Sequence, residues 1–307
     1  MDFLYYGLIT LLGLCGLWGS SSVLIHLLES WSVRYKWSML GLSSIVLASL
    51  TSLPELMVSL IAVLDNNHEV AMGNLMGSYA ANLCLVVGVC ACIKPIQLES
   101  IVFNFKFPML LLAIFSIMLA QWLPVYLMCV LMLIFYAGYI GMTIYLGDAK
   151  DVVEDEFPQL KRVSAWVLFP LSLGCLFLST KGVLYGAVSI ASMLGVSKYW
   201  IGLTIVAIGT SLPELITSIL AQYKGMDDVI VAQAVGSNIF MFLFILPIMG
   251  LMNQQVFNVV GFYDFFLLMM IVLVLFIFAR YFDRKWQINR LEGMGLLFLY
   301  AGYLFFH

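Results

Sequence analysis

The sequence predicts an all-α integral membrane protein of ten transmembrane helices, arranged as two inverted five-helix repeats. Three observations carry that expectation. Hydrophobic residues make up 63% of the 307-residue chain and charged residues only 10%, with a mean hydropathy of +1.05. Soluble domains carry about 25% charged residues, so this chain could not cover a water-facing surface. Apolar runs recur along it at lengths near the roughly 20 residues that cross a bilayer. Finally, one motif in the first half returns in the second, five apolar runs later.

Breaks in hydropathy place the spans near 3–28, 38–63, 70–92, 107–120, 123–146, 163–181, 199–221, 229–250, 262–280 and 291–306. The opening run has no basic flank and no small-residue cleavage site, so it reads as a true first span and not a signal peptide. One strongly polar stretch, 147–162, holds Asp148, Lys150, Asp151, Glu154, Asp155, Glu156, Lys161 and Arg162. It is read as a short cytoplasmic linker between a first half, 1–146, and a second, 163–307. Residues 182–198, between spans six and seven, are read as lying along the outer surface.

The basic residues orient the chain. With the N-terminus outside, twelve of the fourteen Lys and Arg residues fall in inner loops, leaving Lys181 and Lys198 outside. Positive charge gathers on the cytoplasmic side, so both termini are expected outside a cell inner (plasma) membrane. Partner classes narrow as well. A net charge of -3 without a basic patch argues against nucleic acid. The six cysteines, Cys15, Cys84, Cys90, Cys92, Cys129 and Cys175, lie in apolar runs with neither zinc spacing nor a loop framework. His26, His68 and His307 sit apart from any Ser/His or H-E-x-x-H arrangement, which points away from an enzyme.

The repeat is specific. Thr51-Ser52-Leu53-Pro54-Glu55-Leu56 recurs as Thr210-Ser211-Leu212-Pro213-Glu214-Leu215. The shift of 159 then holds without a gap through Ser59/Ser218, Ala62/Ala221, Val70/Val229 and Gly77-Ser78/Gly236-Ser237. An offset of five spans inserts the second copy upside down. Inverted repeats with interrupted helices point to a transporter's midplane site.

The acids give that site its chemistry. Of seventeen Asp and Glu residues, fifteen fall in predicted loops or near span ends; the exceptions are Glu55 and Glu214. A carboxylate at the bilayer centre costs at least about 2.5 kcal/mol, and no Lys or Arg lies at matching depth to pair with either one. The counterion must therefore be mobile: a metal ion, sodium or a proton. Pro54 and Pro213 free the carbonyls of Leu50 and Gly209, tolerable at membrane depth only beside a polar cavity. Thr51, Ser52, Thr210 and Ser211 add hydroxyls, completing an all-oxygen set that suits a hard cation such as Ca²⁺. In the following span, Gly77-Ser78 and Gly236-Ser237 allow close helix approach. Asn82 lies one turn beyond Ser78 on the same face; its equivalent, Met241, brings no such oxygen. Asn74 and Gln233, matched across the repeats, suit either ion ligands or helix–helix hydrogen bonds, and the second reading is favoured.

These residues resemble the α-repeats of the cation/calcium exchanger superfamily, in the form of the prokaryotic sodium/calcium exchangers. The resemblance covers 41–89 and 202–250, and the ten-span plan extends it over the chain. It implies an antiporter exchanging Ca²⁺ for Na⁺ by alternating access, with the first and sixth helices sliding. The implied calcium ligands are Glu55, Glu214 and the carbonyls of Thr51 and Thr210. Implied sodium positions draw on Ser52, Ser78, Ser211, Ser237 and the carbonyls of Ala48 and Ala207, and Asn82 matches the family's neutral amide. No permanently bound cofactor is implied; Ca²⁺ and Na⁺ are cargo, and the expected assembly is a monomer in a lipid bilayer. Met241 departs from the family, which carries an acid there. Two carboxylates neutralise one Ca²⁺ but only two of three Na⁺, so fewer sodium ions, H⁺ coupling or another divalent cation become expectations. A cation channel and a non-transporting relic are the remaining alternatives.

Overall fold

The structure is a computed structural model that describes residues 2–34, 45, 48–97, 105–120, 123–146, 162–225, 227–259, 261–278 and 287–306. Helices occupy all ten predicted span positions. They are α1 (Asp2–Arg34), α2 (ending in the arm Leu53–Leu64), α3 (His68–Ile93), α4 (Phe107–Ala120) and α5 (Val125–Leu146) in the first half. The second half has α6 (Arg162–Leu194), α7 in two arms (Lys198–Thr210 and Leu212–Lys224), α8 (227–252), α9 (Phe262–Ile277) and α10 (Arg290–Phe306). Five of these are long and apolar enough to cross a membrane alone, and the two arms of α7, bent by 40°, make a sixth. The predicted linker 147–162 lies outside the described residues except for Arg162, which opens α6.

Burial separates a core from a lipid-facing rim. The apolar windows of α3 and α8 are each 78% buried, against 22% for α1 and 28% for α5 and α6. Exposed aliphatic and aromatic side chains stud the outer helices, including Leu4, Leu12, Ile134, Leu178 and Phe305. A bilayer is the solvent such a surface requires. The central helices therefore carry the polar residues, shielded by their neighbours.

The inversion is visible at the hairpin ends. The α2–α3 connection sits where Asp65 takes Lys181 at 2.7 Å and Asn67 takes Lys198 at 3.0 Å. The α7–α8 connection sits at the other end of α3, where Gln222 donates to the Lys94 carbonyl and Lys94 pairs with Asp227 at 3.7 Å. Asn66 and Gly225, equivalent under the 159-residue shift, both turn with positive φ, 56° and 73°. A two-residue antiparallel pairing, Ile96 with Ile288 and Gln97 with Gln287, closes that same end. Lys181 and Lys198 thus share one end of the bundle, and Lys94 and Arg290 share the other, Arg290 donating to the Ile93 carbonyl.

One predicted segment is corrected. Residues 182–194 do not lie along the outer surface; α6 continues through them as a 33-residue helix. The reason is packing against α1. A Cβ at Gly186 would run into the Thr10 hydroxyl and the Tyr6 carbonyl, so the glycine lets the two long helices lie backbone to backbone. At 1.5 Å per residue each is about 50 Å long, well beyond the hydrocarbon thickness.

Candidate ion site

The site begins with a helix break in each repeat. Ser52 has φ −86° and ψ 12°, and Ser211 has φ −82° and ψ 4°. Both residues leave helical geometry in the same direction, within 8° of each other, and a new helix arm starts after each with Leu-Pro-Glu. The proline sits in the first turn, where a missing N–H costs nothing. Each glutamate is therefore the third residue of an arm, at the positive end of its helix dipole. That placement favours a carboxylate without a neighbouring cation.

The serines in the N-cap positions do not cap their own helices. Ser52 donates instead to Glu214 Oε1 at 3.0 Å, and Ser211 to Glu55 Oε1 at 3.2 Å. Each repeat thereby holds the other's acid. The second oxygen of each carboxylate, Glu55 Oε2 and Glu214 Oε2, is buried without a hydrogen-bond donor. A buried unpaired carboxylate oxygen is costly, so this pair of open acceptors is where a cation is called for.

The flanks repeat the same cross-over. Ser237 donates to the Ala48 carbonyl at 3.3 Å, which also receives Thr51 Oγ1 at 3.3 Å. On the mirrored side Ser78 donates to the Ala207 carbonyl at 3.5 Å, which also receives Thr210 Oγ1 at 3.1 Å. Ser78 and Thr210 hydroxyls lie 3.3 Å apart. The close approach is set by Gly77, where a Cβ would strike the Leu203 carbonyl and the Ala207 methyl. None of the eleven residues singled out from sequence is more than 2% exposed. Ten of them fall in these two crossed clusters, enclosed by protein.

Asn82 stands apart from them in its bonding. Its amide donates to Asn238 Oδ1 at 3.2 Å, and Asn238 in turn donates to the Tyr79 carbonyl at 3.1 Å. Asn82 Oδ1 remains buried without a donor. Asn238 ties α8 to α3 here, a role that the sequence reading did not assign. Its only signal was register, since Asn238 matches Tyr79, a residue of different chemistry.

Asn74 and Gln233 make the helix–helix bonds expected of them, but not symmetrically. Asn74 accepts from Thr210 at 3.1 Å and donates to Ser59 at 3.1 Å. Gln233, one methylene longer, passes the equivalent Ser218 and donates to Thr217 at 2.8 Å and Thr51 at 3.4 Å. Ser218 Oγ and Gln233 Oε1 are left buried without partners. Two π-helical stretches, Ala81–Val86 and Met241–Ile245, fall one turn past the paired Ser78 and Ser237, and a third, Gly202–Val206, lies in the first arm of α7. Wide turns of this kind commonly mark functional sites.

Inverted helical repeats, each broken beside a buried acid, are the architecture of a secondary transporter. The chain belongs to the sodium/calcium exchanger protein family, whose model matches residues 5–145 and 164–307. It is a membrane antiporter of that family and not an enzyme. It is 33% identical to CaxA of Alkalimonas amylolytica over 275 residues, covering 86% of each chain. It is 29% identical over 295 residues to the membrane protein MJ0091 of Methanocaldococcus jannaschii, covering 94% of each. Among solved structures, the sodium-calcium exchanger NCX_Mj soaked with 2.5 mM Na+ and 0.1 mM Sr2+ superposes with a TM-score of 0.71 at 28% identity, over 99% of both chains.

Proposed function

We propose that this protein exchanges Ca²⁺ for Na⁺ across the cell inner (plasma) membrane, with both termini outside. The cations would bind at the centre of the bundle between Glu55 and Glu214. The observation that carries this reading is the crossed pair of carboxylates, each held through one oxygen by the other repeat's serine and each with its second oxygen open. Calcium takes six to eight oxygens. The open carboxylate oxygens, with the carbonyls of Thr51 and Thr210, supply the core of such a shell. Ser52, Ser78, Ser211, Ser237 and the carbonyls of Ala48 and Ala207 flank it and suit the smaller charge of Na⁺; Asn82 offers an amide oxygen at its edge.

The mechanism is competition for one anionic pocket. Empty, the pocket brings two like charges together in a medium of low dielectric, and a switch of sides in that state is disfavoured. Occupied, it is near neutral and the protein can present it to the opposite face. Each cation shifts the balance of states only by its differential affinity for them. Because the flanking bonds cross between repeats, rocking one repeat against the other must break and remake them. Ions that stabilise the crossed arrangement therefore gate the switch.

A second reading is H⁺ coupling at the same carboxylates. It is favoured by the pair's discharge requirement, which protons meet as well as sodium does. Ca²⁺ uptake into proteoliposomes, driven first by an imposed Na⁺ gradient and then by a pH gradient, tests both. Uptake with the Na⁺ gradient alone is the expected result. Uptake with only the pH gradient would replace sodium by protons, and uptake that never saturates or needs no counter-ion would favour a channel.

A further inference from the structure

The charge buried within the bundle can be counted. Among the described residues, the buried Asp, Glu, Lys and Arg side chains are Glu55, Glu214, Lys106 and Glu292. Lys106 and Glu292 belong to helix ends. Lys106 directly precedes α4, and Glu292 lies in the first turn of α10, where it accepts the Asn289 backbone N–H at 2.7 Å. Among the described residues at the crossed helix breaks, the two glutamates are the only acids or bases. The side chains that donate to them, Ser52 and Ser211, and those on the flanking Ala48 and Ala207 carbonyls, Thr51, Ser78, Thr210 and Ser237, are all neutral hydroxyls. Met241, fully buried, contributes an apolar side chain at the position equivalent to Asn82.

We propose that the exchange is electroneutral: one divalent cation is traded for two monovalent cations, and no net charge crosses the membrane. This rests on the reading of Glu55 and Glu214 as the cation site. Two carboxylates are neutralised by one divalent ion bridging the open oxygens, or by two monovalent ions with one at each. Both occupied forms then carry the same charge and meet the same electrostatic barrier on switching. A third monovalent ion would leave a positive charge without a counter-charge in an enclosed pocket, with Glu55 at 0% and Glu214 at 1% exposure. Desolvation penalises such a charge heavily. The pair of open oxygens also supplies no third anionic acceptor.

The test uses the full-length protein in liposomes loaded with Na⁺, with Ca²⁺ outside and the potential clamped by K⁺ and valinomycin. The transmembrane Ca²⁺ gradient at exchange equilibrium is measured at zero and at about −100 mV, where one net charge per cycle shifts the equilibrium roughly 50-fold. The expected result is a gradient unchanged within about twofold, together with no exchange current on a supported membrane. A shift near 50-fold would overturn electroneutrality and leave the Glu55/Glu214 exchange reading standing. Absence of any Ca²⁺ exchange, with Na⁺ or with a pH gradient, would overturn both.

Discussion

Ser52 reaches across the bundle to Glu214 at 3.0 Å, and Ser211 returns the same contact to Glu55 at 3.2 Å. Each serine occupies an N-cap position yet leaves its own helix uncapped. A cap is worth about 1 kcal/mol, so the hydroxyl forgoes local helix stability to orient an acid in the other half. The two halves cannot be described as separate sites placed side by side.

The crossed serines give the first prediction. Ser52→Ala and Ser211→Ala should each weaken apparent Ca²⁺ affinity by about tenfold, as loss of a hydrogen bond to a charged group, about 1.5 kcal/mol, requires. Initial uptake rates against Ca²⁺ concentration measure it. In a double-mutant cycle read as thermal stability in detergent, Ser52→Ala combined with Glu214→Gln should be non-additive, while Ser52→Ala with Glu55→Gln should couple less.

Glu55→Gln and Glu214→Gln should each abolish Ca²⁺-dependent flux while the protein still folds. Removing one of two mutually repelling buried charges is expected to leave thermal stability in detergent unchanged or higher. Wild-type flux in either variant would remove the carboxylate from the site.

Close packing at the site gives a third prediction. A Cβ at Gly77 would meet the Leu203 carbonyl and the Ala207 methyl. Gly77→Ala is expected to destabilise the fold by about 1–3 kcal/mol, the usual range for overpacking, and to lower the Tm. Gly138→Ala, where a Cβ meets nothing within 4 Å, is the control and should leave Tm unchanged.

Charge counting gives a fourth. Met241→Asp adds a third buried acid, at the position equivalent to Asn82. Exchange in this variant should become sensitive to membrane potential, and Na⁺ dependence should steepen toward three ions. Voltage-clamped proteoliposome flux, compared with the parent protein, reads both effects.

Much of this was legible in the sequence because membrane constraints are severe. Spans must be apolar and about 20 residues long, so hydropathy alone located ten helices. Glu55 and Glu214 stood out because a buried acid with no nearby base is rare. Helix length was less legible. The continuation of α6 to Leu194 depends on Gly186 meeting Thr10 and Tyr6 of another helix, and hydropathy carries no trace of a partner. Asn238 was passed over for the same reason, since its bonds to Asn82 and Tyr79 join helices far apart in sequence.

By itself, the sequence determined the solvent of this protein, the positions of its apolar helices, the duplicated motif and the two acids, because each follows from local chemistry repeated at fixed spacing. Only the tertiary structure decided which oxygen serves which acid. Ser52 could have capped its own helix or turned to Glu55, and nothing local chooses between those partners and Glu214. The choice is made when the inverted halves pack together, bringing residues 162 positions apart into hydrogen-bonding distance.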